Sequence, residues 1–286
     1  MTAEGNANVR LLTLLVDSDG EAEDEYRFLV DDKHVKYVTV DPDVFPKDDR
    51  TFAPVLIPML PAFPPGNWNE GHISKDPLTQ HPVFSRVVYN DDLPRVQNTW
   101  HDRRFDHLEF ERPERIRQNI ERVTHPAFDV PVVIKFAEFP WQMPYFEDET
   151  TAYEWIDGRG IGPSFLGHLT EDGRVFGFVI EDVGEGARTA EIQDLTACQR
   201  VLAKLHALGI KHGDINKHNF LIKENGEAVL VDFETAQKCG DKAELESEYA
   251  LLESSLRDPS RRGGVGSPEN KAPNINFEEY IIQIYI

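Results

Sequence analysis

His212-Gly213-Asp214-Ile215-Asn216-Lys217-His218-Asn219 is followed, one short hairpin later, by Val231-Asp232-Phe233-Glu234. The runs Asn219–Lys223 and Glu227–Phe233 flank Asn225-Gly226, which is a two-residue hairpin signature. Before the loop, Ile192, Leu195, Cys198, Val201, Leu202, Leu205 and Leu208 recur every three or four residues. That period predicts a helix over Glu191–Leu208, capped by Gly209. Further upstream, Pro163–Leu169 and Arg174–Val183 are apolar runs joined by Thr170-Glu171-Asp172-Gly173, a second hairpin. A helix from about Phe146 to Asp157 precedes it, with Gly158 as its stop signal. Val130–Ala137 is a compact apolar strand holding one cation, Lys135. After Asp232 the pattern predicts a helix over Lys242–Arg257 and a Gly/Pro/Ser-rich loop over Pro259–Asn274.

Each of these features alone has an ordinary reading. A strand lysine snorkels to the surface, and acids in an acidic chain are solvated. Their order is what decides: strand with Lys, helix with Glu, hairpin, connector, long helix, polar loop, hairpin ending in Asp. In that order the chain resembles the protein-kinase-like phosphotransferase superfamily over roughly residues 128–255. Small-molecule kinases of the aminoglycoside phosphotransferase and choline kinase type, and compact atypical protein kinases, share its His-Gly-Asp form. The resemblance implies an α+β, bilobal fold with an antiparallel-sheet N-lobe and a reduced, mostly helical C-lobe. It also implies ATP and Mg²⁺.

Phosphoryl transfer needs positioning and charge stabilisation more than covalent chemistry. By the resemblance, Asp214 orients the acceptor hydroxyl, and Asn219 and Asp232 hold Mg²⁺. Lys135, in Val-Val-Ile-Lys, neutralises the nucleotide phosphates and needs an acidic partner. Glu149 is favoured for that place, ahead of its rivals Glu147 and Glu154, because Gly160-Ile161 stand about three helical turns beyond it. The adenine edge falls to the backbone near Glu181-Asp182-Val183, and Lys217 is a candidate for the γ-phosphate. His212 reads as packing beneath the loop rather than as an acid or base.

The chain departs from the family in four places. No Gly-x-Gly-x-x-Gly precedes Lys135, and residues 105–130 contain no glycine. The cover over the phosphates must therefore be built differently. Gly213 replaces the arginine that pairs with a phosphorylated activation loop, which removes that switch. Glu234 stands where protein kinases carry glycine, so a second carboxylate lies near the metal. Only 54 residues follow Asp232 in the 286-residue chain, too few for a platform that docks peptides. Together these favour a small hydroxyl-bearing acceptor over a protein. A catalytically weak, nucleotide-responsive interaction protein and an atypical Ser/Thr kinase are the alternatives.

The chain carries 30 Lys+Arg against 51 Asp+Glu, a net charge of −21. Such a balance argues against nucleic acid and against an anionic membrane surface. Two cysteines, Cys198 and Cys239, exclude a disulfide scaffold. No signal peptide or membrane span is apparent, so a cytoplasmic protein is expected. The expected organisation is an N-terminal extension over 1–100, an N-lobe over 101–183 and a C-lobe over 184–286. In the extension, Val9–Val16, Tyr26–Val30 and His34–Val40 read as strands. Seven prolines from Pro42 to Pro65 then read as an irregular connector. The apolar tail Ile281–Ile286 reads as a strand or a buried end.

Overall fold

A computed structural model describes residues 5–184 and 186–260. The expected loop beyond residue 260 and the tail Ile281–Ile286 lie outside the described residues. Those described divide into two compact units at Leu93 and Pro94.

The first unit is a five-stranded sheet in the order β1 (Val9–Leu15), β2 (Asp24–Val30), β3 (His34–Val40), β4 (Glu70–Lys75), β5 (Pro82–Val88). Neighbours run antiparallel except β3 and β4, which are parallel. A parallel pair needs a crossover of a dozen residues or more. The proline-rich segment supplies it and is not wholly irregular: Ala53–Met59 forms a short helix, α1. Pro54 sits in its first turn, where a missing N–H costs nothing. The buried faces of Tyr26, Phe28, Leu56, Trp68 and Ile73 form the core. A buried Arg50–Asp24 pair at 3.0 Å braces one end.

The second unit has the two lobes of a kinase-like α+β fold. Its N-lobe strands are β6 (Arg104–Asp106), β7 (Glu111–Arg117), β8 (Ile120–Thr124) and β9 (Val132–Phe136). The helix α2 (Met143–Ile156) follows, then β10 (Phe165–Glu171) and β11 (Arg174–Glu181). The sheet order is β6-β10-β11-β9-β8-β7. Asp172 and Gly173 both have positive φ, 49° and 76°, which is the two-residue turn that matches strand twist. The C-lobe carries β12 (Arg188–Thr189), α3 (Leu195–Ala207), β13 (Ile210–Lys211), β14 (Phe220–Ile222), β15 (Ala228–Leu230), β16 (Gln237–Lys238) and α4 (Lys242–Arg257).

The β14–β15 hairpin differs in detail from the expectation. Its loop is three residues, Glu224-Asn225-Gly226, because Lys223 N–H donates to Glu227 O at 2.8 Å and Gly226 N–H donates to Lys223 O. Gly226, with φ +81°, takes the left-handed position that such a loop requires.

The register of the sheet prepares the site. Lys135 is directly opposite Phe178 on β11, so the two side chains share a face. Phe146 and Tyr153 of α2 pack on Phe178, at 6.2 and 5.3 Å between ring centroids. Glu149 lies between them on the same helical stripe and is thereby carried to the lysine. No helix among the described residues is long and apolar enough to cross a membrane.

Gly177 keeps β9 and β11 in register. A Cβ there would lie 2.3 Å from Lys135 O and 2.7 Å from Phe136 Cα. Gly177→Ala is expected to destabilise the fold by about 1–3 kcal/mol, read as a lowered urea midpoint.

Candidate active site

Lys135 Nζ lies 2.7 Å from Glu149 Oε2 and 2.5 Å from Asp232 Oδ1. Burial works against its charge, but Asp232, Glu149 and Glu234 outweigh burial and hold the ammonium protonated well above the usual lysine range. Burial pushes the Glu149 carboxyl up to about 7, with Lys135 pulling the other way. Asp232 also resists burial, and Lys135 lowers its pKa. The rival acids point elsewhere. Glu147 accepts the N–H groups of Gln97 and Asn98, and Glu154 accepts from the Asn98 side chain.

Asp232 adopts φ +67°, a left-handed conformation that non-glycine residues seldom hold. Its neighbour explains how it is kept there. Phe233 N–H donates to Glu149 Oε1 at 3.3 Å. The Phe233 ring is fully buried and wedged between Tyr153 and His212, with centroids 5.3 and 5.2 Å away. An aromatic column therefore ties α2, the hairpin end and the polar loop together.

The loop itself rests on α4. Leu245, Glu248, Leu252 and Leu256 form the buried stripe of that helix. Glu248 is the odd member, and its carboxylate accepts three N–H groups. His212 N–H lies at 3.1 Å, Gly213 N–H at 2.7 Å and His206 Nε2 at 2.7 Å. Burial alone would raise this carboxyl, but the donors, His206 first, bring it below its usual value. Gly213 has φ +87°, and a Cβ there would lie 2.7 Å from Thr235 O. No arginine fits that position. Burial holds His212 below the usual histidine range, so its ring is neutral. One tautomer satisfies both nitrogens: Nε2–H donates to Val231 O, and Nδ1 accepts Asp214 N–H.

Asp214 Oδ2 accepts from Asn216 Nδ2 at 2.8 Å and Asn219 Nδ2 at 3.1 Å. Asn219 Nδ2 also reaches Asp214 O at 2.9 Å, which fixes the amide with its oxygen on the opposite side. Asn219 Oδ1 is buried and has no hydrogen-bond partner among the described residues. A buried acceptor without a donor is costly, and a cation removes that cost. Glu234 is raised by burial and by the charge of Asp232, and it also feels Lys135 and Asp214. An amide oxygen beside acidic carboxylates is a donor set that suits Mg²⁺.

Residues 181–260 match the model of the lipopolysaccharide kinase (Kdo/WaaP) family. The matched segment runs from the end of β11 to just past α4 and contains Asp214, Asn219, Asp232 and Glu248. Lys135 and Glu149 lie outside it. This match supports a kinase-type phosphotransferase within the protein-kinase-like superfamily.

The remaining expected residues are more peripheral. Lys217 Nζ donates to Asp258 O at 2.9 Å and so braces the loop against the end of α4. Glu181 ends β11; its N–H is committed to Ser164 O, and its carboxylate accepts from the Ser164 hydroxyl. Val183 follows Asp182, whose carboxylate binds Arg122 Nε at 2.7 Å. Sequence reading passed over Glu248. The available signal was an acid at a position of α4 where the helical period calls for an apolar residue.

Glu248→Gln puts an amide N–H₂ against N–H donors. At neutral pH it is expected to lower stability by about 1–3 kcal/mol. Because the native carboxyl has the lower pKa, its stabilisation is complete above the ordinary glutamate value of 4.5. It fades as the pH falls through the lowered native value. Urea unfolding at pH 7 and at pH 4 should show the gap between wild type and variant narrowing in acid.

Proposed function

We propose that this chain transfers the γ-phosphoryl group of Mg-ATP to a hydroxyl of a sugar-containing acceptor. The observation that carries the reading is that Glu234 feels Asp232, Lys135 and Asp214 together, while Lys135 is bound to Asp232, Asp214 to Asn219, and Asn219 Oδ1 is buried without a partner among the described residues. The acceptor class comes from the lipopolysaccharide kinases matched over 181–260.

In this reading Asp214 uses Oδ2 to take the Asn216 and Asn219 amides. Its other oxygen accepts the acceptor's proton as the hydroxyl oxygen attacks the γ-phosphorus. The bond to the bridging oxygen breaks and ADP leaves. Asn219 Oδ1, Asp232 and Glu234 would hold Mg²⁺, which neutralises charge on the phosphates when bound. Lys135 reaches the phosphates from the opposite side, steadied by Glu149. The backbone from Glu181 to Val183 borders the adenine. Lys217 supports the loop rather than the γ-phosphate, since its ammonium is bound to Asp258 O. The buried Lys135–Glu149 pair and the bare Asn219 oxygen favour catalysis over an interaction scaffold.

The test couples nucleotide binding to turnover on a panel of sugars, with a protein acceptor as comparison. Asp214→Ala should lower turnover by about 10²–10⁴-fold while Mg-ATP affinity stays within a few-fold of wild type. Asp232→Ala should abolish the Mg-dependent rise in melting temperature that ATP produces. Full turnover in Asp214→Ala, or phosphate appearing on protein and never on sugar, would overturn the reading.

A further inference from the structure

The segment before Lys135 has no glycine between residues 105 and 130, yet it forms a regular hairpin. Strands β7 and β8 are joined by Gln118-Asn119, with Arg117 opposite Ile120. The turn's Asn119 carbonyl accepts Phe136 N–H at 3.1 Å. A side chain that reaches the phosphates can take the place of a glycine loop.

The register shows which. Arg117 pairs with Ile120, and Ile120 pairs with Lys135 on β9. Residues directly opposite share a face of a sheet. Arg117 and Lys135 therefore stand in one row on one face, two strand spacings or about 10 Å apart. Lys135 shows what that face looks onto: Glu149 and Asp232. The charge of Arg117 also acts on Asp232 and on His218 of the polar loop, in keeping with that register. Arg122 Nε, bound to Asp182 Oδ2, pins the base of the hairpin to the end of β11.

Charge balance gives the arginine a task. Asp214, Asp232, Glu234 and Glu149 crowd the cleft, and Lys135 is already shared by two of them. Lys217 is turned to Asp258 O. A nucleoside triphosphate entering this acidic site needs a further cation, and a guanidinium binds phosphate through two parallel N–H donors.

The geometry points to Arg117 as the residue that grips the β- and γ-phosphates of the nucleotide, in place of the amides of a glycine loop. This inference rests on the nucleotide reading above and deepens it. It makes Arg117 a specificity residue: it selects di- and triphosphates over the bare nucleoside.

The test titrates the full chain, with Mg²⁺, against adenosine, AMP, ADP and ATP by calorimetry. Wild type should bind more tightly along the series. Arg117→Ala should lose about ten- to a hundredfold in ATP affinity and keep its affinity for adenosine, which reports that the site is still folded. Arg117→Lys should recover only part of the loss. Arg115 pairs with Glu121 and so faces the other side; Arg115→Ala should bind ATP like wild type. Equal ATP affinity in wild type and Arg117→Ala would overturn the role of Arg117 and leave the nucleotide reading standing. A wild-type chain that binds none of the four would remove both.

Discussion

A protonated lysine buried in a sheet cannot stand alone, and Lys135 is held between two carboxylates from two other elements. Burying an ion costs several kcal/mol, and removing one partner of a buried pair costs about 3–5 kcal/mol. Strand β9, helix α2 and the end of the β14–β15 hairpin are therefore locked to one another by the need to satisfy a single ammonium. Phe233 adds its N–H to the same Glu149 carboxylate and its ring to the column through Tyr153 and His212. Movement of α2 would break the ion pair, the hydrogen bond and the ring packing together. Position in this site is set by electrostatics first and sealed by aromatic packing.

Glu248 repeats the device on the other side of the cleft. One buried carboxylate on an apolar helical stripe gathers two backbone N–H groups and a histidine. The loop that carries Asp214 is thus held from beneath. Both acids look misplaced when the helices are read for apolar periodicity. Both occupy core positions because each has enough donors around it to replace water.

Much of this was legible in the sequence, and for stated reasons. Asp172-Gly173 named its turn because only such residues accept two successive positive φ values. Helix α4 matched its expected bounds because Asp241 caps its start by accepting Ala243 N–H, and its apolar stripe is regular. Glu149 stood out through its spacing from Gly160-Ile161. Other features were hidden. Strand β4 has only Gly71 and Ile73 as buried positions, and a glycine gives no apolar signal. Glycine stands there because the Trp68 and Phe84 rings lie within about 3 Å of where a Cβ would be. The charges of β7, Glu-Arg-Pro-Glu-Arg-Ile-Arg, read as those of any exposed edge strand. Only the pairing register separates Arg117 from its neighbours.

The two ends of the central ion pair lie 97 residues apart in the chain, Lys135 to Asp232. Contacts that distant form only after the intervening chain has been ordered, because the entropy of closing the loop is lost before the contact repays it. During synthesis the lysine strand and its helix emerge long before their aspartate. Until residue 232 leaves the ribosome, Lys135 has Glu149 alone, and the left-handed turn that presents the Asp232 carboxylate does not exist. Completion of the site thus reports completion of the fold: a chain interrupted anywhere in the C-lobe hairpin holds half an ion pair and no cleft.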